Sequence, residues 1–168
     1  MKQIIGVMGP GAKEATTEDL ACAYEVGKLV ASTGAVLLCG GMKGTMEGSA
    51  KGAQEAGGLT IGIGPTRDKA DMNPYIDLPL LTSMHAGRNY MNVISSDILI
   101  FVSVGSPGTL SELAYAIQMR IPSIIIRGAE NLQTYVAELN ADQVWFVESI
   151  DELNSRLETV RGTQSSSE

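Results

Sequence analysis

The chain has 168 residues, 44% of them hydrophobic and 18% charged, with a net charge of −7. One domain with a full hydrophobic core fits that length, and the composition excludes a disordered chain. Residues 1–127 are nearly neutral (10 Lys+Arg against 11 Asp+Glu) and residues 128–168 carry most of the net negative charge (2 against 8); no basic stripe of the kind a nucleic-acid binder needs is present.

The N-terminal apolar run, Met1 to Gly6, is too short for a signal peptide. No stretch approaches the ~18 consecutive apolar residues of a membrane span. Cys22 and Cys39 lie 17 residues apart in apolar runs, with no CxxC pair and a single histidine, His85. They read as buried free thiols, and the expected location is the cytoplasm.

Six short apolar runs read as strands: Ile4–Met8, Ala35–Cys39, Leu59–Ile63, Ile98–Val102, Ser123–Ile126 and Val144–Val147. Most are apolar throughout rather than alternating, as strands buried on both faces are. Helical patterns lie between and after them, over Thr16–Thr33, Thr45–Ala56, Arg88–Ser95, Thr109–Met119, Asn131–Leu139 and Ile150–Val160. This alternation predicts an α/β, Rossmann-like three-layer sandwich with a mainly parallel sheet. It forms one domain over 1–161, followed by a disordered polar tail, 162–168. The segment Pro65–Pro79 reads as a mobile, solvated loop, with a lid as the alternative.

Ligands of such sheets bind beyond the carboxyl ends of the strands, so the loops there carry the functional signal. The first is Gly9-Pro10-Gly11-Ala12. It lacks the G-x-G-x-x-G spacing, and Cys39 is followed by Gly40-Gly41 where a ribose-binding acid would stand, which argues against an NAD site. The second is Gly40-Gly41-Met42-Lys43-Gly44-Thr45. It is not a P-loop, because Lys43 precedes Gly44, yet its glycines and the helix start at Thr45 can present amides to an anion. The third, Val104-Gly105-Ser106-Pro107-Gly108-Thr109-Leu110-Ser111-Glu112, opens another helix. There Glu112 follows Thr109 at capping-box spacing, so capping and ligand binding are both open readings. Ser149 and Glu152 repeat that spacing near the C-terminus. Arg88, followed by Asn89, stands at a loop-to-helix junction where a guanidinium can meet a phosphate. No metal-ligand cluster appears.

These motifs, in this order, resemble the lonely-guy (LOG) superfamily, a group often labelled as lysine decarboxylases. The resemblance runs from about Ile4 to Ile126. Family members carry a Pro-Gly-Gly-x-Gly-Thr-x-x-Glu loop with an upstream Arg-Lys pair. Here Val104-Gly105-Ser106 replaces the start of that loop, and Asn89 replaces the Lys. Gly87-Arg88-Asn89 with Gly108-Thr109-Leu110-Ser111-Glu112 is more similar to the branch that contains molybdenum-cofactor carrier proteins.

The resemblance implies a binder of a phosphorylated small molecule, a nucleotide or a molybdenum-cofactor (pterin) ligand, that requires no cofactor of its own. Gly9, Gly11, Gly40, Gly41, Gly44, Thr45, Arg88, Asn89, Gly105, Ser106, Gly108 and Thr109 are its expected ligand contacts. The alternative is a phosphoribohydrolase that cleaves nucleoside 5′-monophosphates to base and ribose 5-phosphate, with Glu112 as acid/base and Arg88 as its working partner. Lysine decarboxylation is not expected, since nothing marks a pyridoxal-phosphate lysine. The resemblance further implies a homodimer or higher homo-oligomer. Met46, Ala50, Met91, Val93 and Ile94 could pack against the second copy or equally be covered by their own sheet. No nucleic-acid or membrane partner is expected.

Overall fold

The computed structural model describes residues 1–165. Its strands are β1 (Ile4–Met8), β2 (Val36–Cys39), β3 (Thr60–Gly64), β4 (Leu78–Leu81), β5 (Ile98–Val102), β6 (Ser123–Ile126) and β7 (Val144–Val147). The helices are α1 (Thr17–Ser32), α2 (Thr45–Glu55), α3 (Arg88–Ile94), α4 (Pro107–Gln118), α5 (Glu130–Glu138) and α6 (Ile150–Ser165). The seven strands form one sheet in the order β4-β3-β2-β1-β5-β6-β7, and every pairing is parallel. The fold is the expected Rossmann-like sandwich, with a sheet that is parallel throughout.

The continuous apolar strands feed two cores by simple alternation. Ile5 and Val7 of β1, with Ile98, Ile100 and Val102 of β5, face α1, α2 and α6. Met8, Leu99 and Phe101 face the opposite way, against Val93 of α3, Leu113 of α4 and Val136 of α5. Burying each large aliphatic side chain contributes about 1.5–3 kcal/mol, so the central strands hold the molecule together. α1 and α2 lie unusually close. A Cβ on Gly27 would collide with the Ser49 carbonyl oxygen, and one on Gly52 with that of Tyr24.

Four readings of the sequence need correction. Part of the expected 65–79 loop, with the residues just beyond it, is a strand: β4 pairs with β3 from Ile61–Leu78 to Gly64–Leu81. Pro79 hid it, although an edge strand tolerates proline where a central one does not. α4 starts at Pro107, not Thr109, because Ser106 is its N-cap and accepts the Thr109 N–H at 3.2 Å. The Thr109–Glu112 capping box therefore does not form. A reciprocal box is present at α1 instead, where Thr16 and Asp19 exchange backbone-to-side-chain bonds of 3.0 and 3.1 Å. Finally, α6 continues through Gly162 to Ser165, and residues 166–168 of the expected tail lie outside the described residues. Cys39 is buried and Cys22 half-buried, and both are free thiols. No helix among the described residues is long and apolar enough to cross a membrane.

Candidate functional site

The chain reverses its direction of travel across the sheet between β1 and β5. The ends of two neighbouring parallel strands with diverging connections leave a crevice there. The three glycine loops meet around it. Gly9, at the end of β1, sits so close to α2 and β5 that an added Cβ would lie 2.6 Å from Thr45 Oγ1 and 2.9 Å from the Val102 carbonyl oxygen. Gly44 has φ +83°, which only glycine adopts easily, and its Cα packs on the Gly11–Ala12 peptide. Thr45 is buried, and its hydroxyl donates to the Pro10 carbonyl at 2.9 Å. Asn73 clamps the second loop from the other side, donating to the carbonyls of Gly41 and Met42 at 3.1 and 2.8 Å.

The crevice contains a cavity of about 150 Å³ lined by Gly9, Gly11, Gly40, Arg88, Asn89, Ser106, Gly108, Thr109 and Glu112, together with Val7, Met8 and Met46. Nine of the expected site residues thus meet in one place. Gly41, Gly44, Thr45 and Gly105 do not line it. The first three join the loops to one another and to the segment after β3, and Gly105 is exposed. Of the α4 amides expected to face a ligand, that of Thr109 is taken by Ser106 and Pro107 has none, which leaves Gly108. His85 is exposed and does not line the cavity. A wider hollow of about 530 Å³ lies between β7 and α6, lined by Phe146, Val147, Asp151, Glu152, Ser155, Arg156 and Thr159. Its charged groups are at least partly exposed, so the smaller cavity, which buries charge, is the stronger candidate.

That buried charge defines the site. Arg88 is the first residue of α3 and is 8% exposed. Its guanidinium lies over Gly40, where any Cβ would strike Nη1. Its Nε has no hydrogen-bond partner, and Nη2 makes only a 3.9 Å contact with Met46 Sδ. Burial pushes its pKa below the usual value, opposed by the Glu112 charge. Glu112, one turn into α4, is 5% exposed, and its Oε1 accepts from Asn92 Nδ2 at 2.8 Å. Burial pushes its pKa up to about 7, against the Asn92 hydrogen bond and the Arg88 charge. Burial likewise pushes Cys39, beneath Arg88, up to about 11, so it is a neutral thiol. Asn89 ties the start of α3 to α4 through Ser111 Oγ at 3.1 Å. Among the described residues no group of three or more His, Cys, Asp or Glu is placed to hold a metal.

Sequence reasoning missed Asn92 and the two methionines. Asn92 stands one helical turn after Arg88, a spacing that puts both on one face. Met8 and Met46 resemble ordinary core residues, and nothing local distinguishes them.

The model of the SLOG cluster4 family matches residues 2–154 of the chain. An uncharacterized protein of Archaeoglobus fulgidus is 43% identical over 136 residues, 77% of this chain and 87% of that protein. The structure of the molybdenum cofactor binding protein from the phototrophic bacterium Rippkaea orientalis superposes with a TM-score of 0.88 at 39% identity, over 95% of this chain and 98% of that one. The molybdenum cofactor carrier protein of Chlamydomonas reinhardtii superposes with a TM-score of 0.89 at 32% identity, over 96% and 99%.

Proposed function

The chain belongs to the SLOG cluster4 family, and on that premise we propose that it binds a phosphorylated small molecule, a nucleotide or a molybdenum-cofactor-type pterin, in the cavity between β1 and β5. The observation that carries this reading is Arg88. A buried guanidinium with an unpartnered donor and no ion pair among the described residues is costly to the free protein. An acceptor-rich ligand would supply the missing partners. Support also comes from two solved relatives, described as molybdenum cofactor binding and carrier proteins. The phosphate would rest at the α4 N-terminus against the Gly108 amide, where the helix dipole favours an anion by about 0.3–1 kcal/mol, with the Gly9–Gly11 loop opposite.

A second reading, hydrolysis of nucleoside 5′-monophosphates, is favoured by Glu112. A buried carboxyl with a pKa of about 7 suits proton transfer near neutral pH, and it stands in the same cavity as Arg88. One assay separates the two readings. The protein is incubated at high concentration with a panel of nucleoside monophosphates, and free base is sought by chromatography, with Glu112→Gln as control. A pure binder releases no base. Base that appears with the wild type and disappears with Glu112→Gln establishes the hydrolase.

We further propose a cytoplasmic homodimer. The faces that suit it are not all those expected from the sequence. Ala50 and Val93 are fully buried within the chain, and of the expected set only Ile94 is exposed. Exposed Tyr90, Ile94, Leu110 and Tyr115 on α3 and α4 form the apolar face available to a second copy, with the two tyrosine rings edge to face at 5.3 Å.

A further inference from the structure

Arg88 and Glu112 both line the cavity and do not bond to each other. Arg88 Nε and Asn92 Oδ1 are buried and unpartnered. Glu112 uses Oε1 for Asn92, and among the described residues no donor reaches its other oxygen. Among the described residues, no nitrogen of Arg88 lies within 4.0 Å of a carboxylate oxygen. Buried polar groups are nearly always paired, so a donor array and an acceptor left apart across one cavity describe a missing edge that accepts beside where it donates.

The walls around that gap are apolar, formed by Val7, Met8 and Met46. Methionine sulfur packs favourably on aromatic rings. A sugar diol could make the same hydrogen bonds but presents no flat apolar face to Met8 and Met46. A phosphate placed there would satisfy Arg88 and set its own charge against Glu112.

We infer that the gap between Arg88 and Glu112 takes the cyclic amide edge of a flat nitrogen heterocycle, a C=O beside an N–H as guanine and the pterins carry, with the C=O on Arg88 and the N–H on Glu112. This deepens the proposed binding function and rests on it. The ring lies between the two methionines, and the phosphate projects toward Gly108. Asn92 is a positioning residue that holds one oxygen of Glu112 and turns the other to the ligand.

Titration calorimetry of the wild-type protein with GMP, IMP, AMP and ribose 5-phosphate tests this. GMP and IMP carry a C=O beside an N–H, AMP carries an amino group beside a bare ring nitrogen, and ribose 5-phosphate carries no ring. GMP and IMP should bind at least ~10-fold tighter than the other two, because a mismatched edge leaves Arg88 and Glu112 unpaired. Glu112→Met, close in volume and without an acceptor, should bring the preference down to about threefold or less. If that variant does not fold, the wild-type ratios decide alone. Equal binding of all four overturns the edge assignment and leaves phosphate binding standing. Binding of none at millimolar concentration overturns both.

Discussion

Arg88 and Glu112 line one cavity from neighbouring helices, are 8% and 5% exposed, and do not form an ion pair. Two opposite charges withdrawn from water usually offset at least part of their desolvation by direct contact. Here Gly40 makes room for the guanidinium and Asn92 takes the carboxylate, so the charges are held apart. Keeping them so costs the free protein stability, which the proposed ligand would recover.

Arg88→Met follows directly from this. It removes a buried charge that forms no ion pair among the described residues, so the free protein should be unchanged or up to about 2 kcal/mol more stable in denaturant unfolding. The same variant should lose the melting-temperature increase that ligand gives the wild type. A variant both destabilised and still able to bind would show that Arg88 is structural.

Glu112 gives stability a pH dependence of definite sign. Its pKa is raised from 4.5 to about 7 in the folded chain, so the folded state holds a proton that the unfolded state has released. Its contribution is complete below about 4.5 and is lost as pH rises through about 7. On the order of 3 kcal/mol should be lost by pH 8. Glu112→Gln should match the wild type near pH 4.5 and be more stable at pH 8, read by thermal unfolding across that range. Parallel curves would contradict the burial of an ionisable Glu112.

Gly40→Ala tests the close approach beneath Arg88. Its methyl group would fall 2.7 Å from Arg88 Cζ and 2.6 Å from Met46 Sδ. Both are ends of flexible side chains that can shift, so the fold should lose about 1–3 kcal/mol, the usual range for an extra methyl group in a packed site. Ligand affinity should fall at least ~10-fold as the guanidinium is displaced.

The exposed apolar face on α3 and α4 should mediate self-association. Sedimentation velocity at micromolar concentration is expected to give a dimer for the wild type and a monomer for Ile94→Lys, because one charge per copy at a two-fold contact meets its own image. A wild-type monomer would remove the proposal.

Much of this molecule was legible in its sequence. Runs such as Ile98–Val102, short and apolar at every position, fit strands covered on both faces, and the strand ends then mark the crevice. Single-residue chemistry was less legible. Glu112 follows Thr109 at the spacing of a cap, but Ser106 three residues earlier has the better geometry, and that frees Glu112 for the cavity. Thr45 and Gly41 sit in a glycine loop that suggests ligand contact, but their bonds run to Pro10, Cys39 and Asn73. Spacing along the chain cannot tell a loop that faces a ligand from one that faces another loop. Leu78–Leu81 was hidden because an edge strand has one half-covered face and tolerates a proline.

The most direct test is to isolate wild-type and Arg88→Met protein from cells under native conditions and identify the small molecules each releases by mass spectrometry. The wild type is expected to carry a phosphorylated heterocycle and Arg88→Met to carry none. Equal amounts of the same ligand in both, or an empty wild type whose melting no nucleotide shifts, would contradict it.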